Sequence, residues 1–439
     1  MISRNLHMDS LQTIDLMLNR KAATVSGLHG GNPQRSRRLG ASSTQLNLLR
    51  WYFIFVALLT AKYAYLTAHT LNGWSIEDWL INYQAGFVRR GAVGAIVYEL
   101  HKVLGIRLVP IALLAQVSCY GVVLYTVYFL LRRQPGWSLW TWALLVSPAT
   151  FSFQIAGPLG GFRKEILFFS GLSAVLIFLR MNVADWKIAG FLAAWLPFTI
   201  LCHEMLFAYL AYYPAALILS GRSYSRVVRM TLLPFILSAI AMFAVLTHHG
   251  DQAKAVRICS SFKEVEPAPC GPAIAALGQS SADARAFTYA NTHWLRCKLI
   301  WCLTGSLAGA PIVVFVWRAF ATARTFLQAR VLSITIVVSL FISLPTYFYA
   351  ADWGRWIYIQ MLSVSLLILF MDWDHVLVDL PLGHILKGGR FASRAAALAL
   401  LFAYATCWTL PHFPGVPRGG IMENVFHLGE RSHYLRNRL

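Results

Sequence analysis

The sequence predicts an all-α polytopic membrane protein, and three observations carry that expectation. Of 439 residues, 57% are hydrophobic and only 13% charged, whereas soluble globular chains run near 25% charged. Mean hydropathy is +0.56. The apolar residues come in blocks of roughly 15–24, and about 20 apolar residues in a helix cross a hydrocarbon core ~30 Å thick. The same composition excludes disorder, coiled coil, collagen and small disulfide scaffolds. A formal charge of +20 would suggest a nucleic-acid partner for a soluble chain. In a polytopic one it points first to Lys and Arg retained in cytoplasmic loops, so nucleic acid drops out.

Residues 1–50 are polar and basic, with Arg4, Arg20, Lys21, Arg35, Arg37, Arg38 and Arg50 against Asp9 and Asp15. They read as a disordered cytoplasmic tail. Apolar blocks follow at about 51–71, 108–131, 137–155, 166–179, 188–201, 205–219, 230–248, 299–316, 331–348, 357–371 and 395–409. The expectation is about eleven crossings (10–12) over 51–409, with the N-terminus cytoplasmic and 410–439 an extracytoplasmic tail. Outer loops fall at 72–107, 156–165, 249–298 and 349–356. The pair within 188–219 is too short to span upright at 1.5 Å per residue, which suggests short or re-entrant segments. Short inner loops carry 13 Lys and Arg against 7 in the short outer ones, the bias that the positive-inside rule asks for. Cys259 and Cys270, in the long outer segment, are open between a disulfide and two free thiols.

Charged residues at bilayer depth are expensive and therefore functional candidates. On this topology they gather at one face. Glu77 and Asp78 follow helix one, between Trp74 and Trp79, which suit the membrane interface. Arg89 and Arg90 precede a run with apolar residues at Val93, Ile96, Val97, Leu100, Val103 and Leu104, the spacing of an amphipathic helix on the membrane surface. Free N–H groups at its start would add to an anion site. Arg163, Lys164 and Glu165 close a glycine-rich turn. His203 and Glu204 lie between the two short blocks and suit a proton relay or an acid–base unit. Asp352 and Arg355 share a short tip with Trp353 and Trp356, which could stack on a sugar or anchor the interface. Lys62, within helix one, calls for a carboxylate or an anion.

Carboxylates and bases on one membrane face are what a reaction on a lipid-linked phosphate requires. Cations neutralise the leaving phosphate, and a carboxylate takes the proton of an attacking hydroxyl. With its acidic pair soon after helix one and basic outer loops, the layout resembles the GT-C superfamily of integral-membrane glycosyltransferases and, more loosely, the polysaccharide polymerases of the bacterial envelope. The resemblance is architectural and covers about the first 250 residues. It implies an enzyme of the bacterial inner membrane using a polyprenyl-phosphate-linked sugar donor at the periplasmic face, with a glycan or lipid acceptor. Asp78 or Glu77 would then be the general base or a metal ligand, followed by Asp352, Glu204 and His203. Arg89, Arg90, Arg163, Lys164 and Arg355 would bind phosphate, and Trp353 and Trp356 the sugar. A divalent cation, Mg or Mn, is compatible with this chemistry. The rival expectation is a transporter or flippase for an anionic or lipid-linked substrate, since broken helices mark transporter sites.

Overall fold

A computed structural model describes residues 43–69, 73–132, 134, 138–262, 270–321, 325–371 and 391–414. The expected tails at 1–42 and 415–439 and the loop at 372–390 lie outside the described residues. The described chain is an all-helical, polytopic membrane protein. Seven helices are long and apolar enough to cross a bilayer: Gln45–His69, Leu108–Leu131, Asp185–Cys202, Tyr224–Thr247, Leu295–Ala321, Phe326–Tyr349 and Trp353–Phe370.

In chain order, α1 (Ser43–His69) begins inside the segment expected to be tail. A buried eight-residue helix α2 (Gly73–Leu80) follows, then α3 (Ala92–Leu104) and α4 (Leu108–Leu131). The block at 137–155 does not form one helix. Ser138 caps α5 (Leu139–Val146) by accepting from the Thr141 amide, and α5 ends because Ser147 precedes a proline and adopts ψ 128°. Proline disfavours helical backbone in the residue before it. After an irregular stretch come α6 (Glu165–Arg180), α7 (Asp185–Cys202), a 3-10 stretch at Glu204–Tyr209, α8 (Tyr212–Leu219) and α9 (Tyr224–Thr247). Thus 188–219 is one full helix and one broken one. The break falls on His203, whose backbone is extended (φ −161°, ψ 106°). Pro214, in the first turn of α8, has no N–H to carry the ladder back through Leu210.

Next come α10 (Gln252–Phe262), α11 (Ser281–Thr292) behind a Ser280–Asp283 capping box, α12 (Leu295–Ala321), α13 (Phe326–Ser343), α14 (Trp353–Phe370) and α15 (Phe391–Thr406). The eleven expected blocks therefore become seven full-length helices and four shorter pieces.

Helix α14 occupies the centre. In it 83% of the membrane-length window is buried, against 28–39% in the other six candidates. Helix α6 is buried along most of its length and packs on both α4 and α14. The peripheral helices keep large apolar side chains outward, such as Trp51 and Phe55 on α1 and Phe243 on α9, as a helix facing lipid requires. Helix α3 divides its apolar stripe. Val93 and Val97 are buried while Ile96, Leu100, Val103 and Leu104 are exposed. It approaches the end of α2 so closely that a Cβ on Gly94 would lie 1.9 Å from the Ile81 carbonyl oxygen.

Candidate functional site

The two central helices, α6 and α14, both start at the same end of the bundle, and charged residues collect there. Helix α2 is the first part of the site. Trp79, expected at the membrane interface, is a core residue whose indole donates to the Phe162 carbonyl at 3.3 Å. Gln116 of α4 donates to the carbonyls of Ser75 (2.9 Å) and Phe162 (3.3 Å). These ties hold α2 against the loop that carries Arg163 and Lys164.

Glu77 and Asp78 are neighbours in sequence but point about 100° apart on a helix. Glu77 leaves the cluster and accepts from the Ala273 amide at 3.3 Å, which anchors the turn Pro272–Ala275 to α2. Burial raises its carboxyl above the usual range. That turn is next to a disulfide, because Cys259 and Cys270 are bonded. Asp78 faces inward and is 1% exposed. Lys164 Nζ and Arg163 Nε each stand 3.6 Å from one of its oxygens, and neither oxygen accepts a hydrogen bond. Burial alone would raise its carboxyl. Lys164, Arg163 and Arg90 outweigh that and hold it well below the usual carboxylate range.

Lys164 is fully buried and donates to the Arg90 carbonyl at 2.6 Å. Burial lowers its ammonium, and Asp78 opposes that shift. Arg90 occupies the left-handed backbone region (φ 66°). Its side chain does not lie along α3 but forks onto Glu204, with Nη2 at 2.7 Å and Nε at 3.0 and 3.1 Å. Arg89 Nη1 stands 3.8 Å from the same carboxylate, and its Nη2 donates to the Ala276 carbonyl at 3.0 Å.

A second part of the network joins α6 to α14. Glu165 accepts from Arg355, which also reaches Asp352 at 2.5 Å. His203 Nε2 lies 3.5 Å from Glu165. Burial, with Arg90 nearby, pushes the His203 imidazole down to about 3. Burial also raises the Asp352 carboxyl. Five cations and four carboxylates thus form one connected cluster at the starts of α6 and α14 and at the break after α7.

No protein-family model, curated protein or solved structure matches this chain.

Of the residues singled out in the sequence, Asp78, Arg89, Arg90, Arg163, Lys164, His203, Glu204, Asp352 and Arg355 share the cluster, and Glu77 turns away from it. Trp356 is buried between His203 (ring centroids 6.1 Å apart) and Arg355 (5.3 Å from its ring). Trp353 donates its indole N–H to the Tyr347 carbonyl at 2.9 Å and packs on Trp301. Lys62 lies on the exposed side of α1. Among the described residues, no three His, Cys, Asp or Glu side chains converge as a metal-ligand group.

Two members have no role assigned from the sequence. Glu165 is one of the carboxylates expected at this face, but its sequence position beside two bases does not reveal that it pairs with Arg355. His412 lay in a presumed tail. Residues 408–414 instead pack back onto the bundle. The Trp301 indole donates to the Pro411 carbonyl at 2.7 Å. Cβ atoms on Gly354 and Gly160 would meet the Pro411 oxygen at 2.1 Å and His412 Cβ at 2.7 Å. Burial, with Arg355 and Arg163 close by, pushes the His412 imidazole down to about 3.

Proposed function

We propose that this cluster is the reaction centre of an integral-membrane glycosyl transfer or polysaccharide polymerisation enzyme. Its donor is a polyprenyl-phosphate-linked sugar, its acceptor a glycan or lipid hydroxyl, and its place the periplasmic face of a bacterial inner membrane, with the N-terminus cytoplasmic. In this reading the four shorter apolar pieces complete about eleven crossings or re-entrant passes. Two observations favour the oxidising, outer side for the site: the Cys259–Cys270 bond, since disulfides persist in oxidising compartments, and the excess of Lys and Arg in the opposite loops.

The observation that carries the reading is Asp78. It is a buried, ionised carboxylate with two oxygens free of hydrogen bonds, placed against Arg163 and Lys164. In a low-dielectric site such fixed charges act strongly on a transition state. The donor phosphate binds to Arg163, Lys164 and Arg90. The acceptor hydroxyl attacks the anomeric carbon, forming the new C–O bond, while the bond to the phosphate oxygen breaks and that oxygen leaves with the electron pair. The hydroxyl proton passes to Asp78, whose affinity for it rises as the phosphate takes over its two cations. Incubating purified protein with a polyprenyl-diphosphate-sugar and an acceptor tests the reading. Elongated product that disappears in Asp78→Asn and in Arg90→Ala is expected. Activity retained in both variants removes Asp78 and Arg90 from the site.

One observation favours transport instead. The helix broken at His203 and Glu204 places ionisable groups where transporters put their sites. Substrate-dependent proton flux in proteoliposomes, abolished by Glu204→Gln, would decide for a transporter or flippase.

A further inference from the structure

Two guanidiniums converge on the single carboxylate of Glu204, Arg90 through a fork at 2.7–3.1 Å and Arg89 at 3.8 Å. A fork that fits a carboxylate also fits a phosphate. A carboxylate already seated there has to leave before a phosphate can use the same donors. Three features make Glu204 displaceable. It opens a six-residue 3-10 stretch, whose hydrogen bonds are poorer than those of an α-helix. The residue before it, His203, is extended, so the stretch is a joint between two helices and not the interior of one. Arg90, its partner, sits in the left-handed backbone region that a non-glycine residue rarely adopts. The fork and the Lys164 hydrogen bond to its carbonyl keep it there. Meanwhile Arg89 Nε and both Asp78 oxygens lack hydrogen-bond partners, so donors and acceptors remain for a ligand.

We propose that Glu204 is an internal competitor of the anionic donor. In the ligand-free chain its carboxylate fills the Arg89–Arg90 fork that the donor phosphate takes, and its release couples donor binding to movement of the 203–209 break. This rests on the reading of the cluster as a phosphate-handling site, and it separates two roles within it: Glu204 sets affinity, and Asp78 takes the proton. When the competent state is a small fraction of the free chain, the apparent dissociation constant is the intrinsic one divided by that fraction. Neutralising the competitor therefore tightens binding.

The test titrates inorganic pyrophosphate into the purified full chain by calorimetry, comparing wild type, Glu204→Gln, Glu204→Asp and Arg90→Ala. Glu204→Gln is expected to bind about tenfold tighter or more than wild type. Glu204→Asp, one methylene too short to hold the fork squarely, falls between them, and Arg90→Ala loses binding. Should Glu204→Gln fail to fold, tighter binding by Glu204→Asp carries the same conclusion. Equal or weaker binding in both Glu204 variants, with Arg90→Ala still defective, overturns the competitor role and leaves the phosphate site standing. Pyrophosphate that binds neither wild type nor either Glu204 variant overturns the phosphate reading itself.

Discussion

Two places in the molecule set a carboxylate between two arginines, and they differ in what the trio connects to. At the site end, Glu204 is held by Arg90 and Arg89, residues more than a hundred positions away in the chain. At the other end, some 22 Å along α6 at 1.5 Å per residue, Asp185 is held by Arg222 at 3.0 Å and by Arg226. The Glu204 side chain is 9% exposed and continues into Lys164, Asp78 and His203. Arg226, at 56% exposure, reaches solvent, and the Asp185 trio ends there. A buried pair that loses one partner leaves an uncompensated charge, costing about 3–5 kcal/mol, while an exposed pair is worth roughly 0–1 kcal/mol. Arg222 and Asp185 are themselves only 13% and 19% exposed, so it is connection into a wider charged network, more than burial of the pair, that separates the central cluster from the Asp185 clasp.

The sharpest test of that contrast is Asp78→Asn. Product formation per folded molecule should fall by about 10²–10⁴-fold, the usual worth of a general base. Next comes Glu165→Ala, which strands Arg355 in the protein interior. A stability loss of about 3–5 kcal/mol is expected, seen as a lowered Tm of the solubilised protein, and a Tm within a degree of wild type would refute it. Cys259→Ser opens a short covalent loop, for which about 3 kcal/mol is typical. Limited proteolysis should then nick the 249–298 segment first, and an unchanged digestion pattern would count against the anchoring by Glu77 described above.

The pH dependence is smaller in effect and sharp in sign. His203 is kept neutral in the folded chain down to about 3, whereas an unfolded histidine takes a proton near 6.5. Its contribution to stability is thus complete above about 6.5 and is lost as pH falls from there toward about 3. His203→Gln should flatten that part of the stability–pH curve. The smallest effect belongs to the Asp185 trio. Asp185→Asn should cost no more than about 1 kcal/mol, and a larger loss would erase the distinction between the two ends.

Much of the site was legible because charge in an apolar chain is conspicuous. Asp78, Arg90, Arg163, Lys164, Glu204 and Arg355 stand out wherever they fold. Their pairing was not legible. Asp352 and Arg355 are three apart and meet as spacing suggests, yet Arg355 also crosses to Glu165, and Arg90 to Glu204. Trp79 and Trp356 looked like interface residues, but an indole ring serves a buried core equally well. His412 carried no signal, because its contact with Gly160 exists only once the chain has returned to the bundle.

What the sequence by itself determined is the solvent and the register of elements. Long apolar blocks demand a bilayer, and a backbone in lipid must satisfy its hydrogen bonds internally, which leaves helices. What only the tertiary structure decided is which helices lie at the centre and which way consecutive charges point. Hydropathy does not distinguish α14, mostly buried, from α7, which keeps much of its surface outward, because lipid and protein interior are equally apolar to a leucine. Nor does it separate Glu77, clipped to a backbone amide, from Asp78, facing Arg163 and Lys164, since the ~100° turn between them acquires meaning only when α2 is docked.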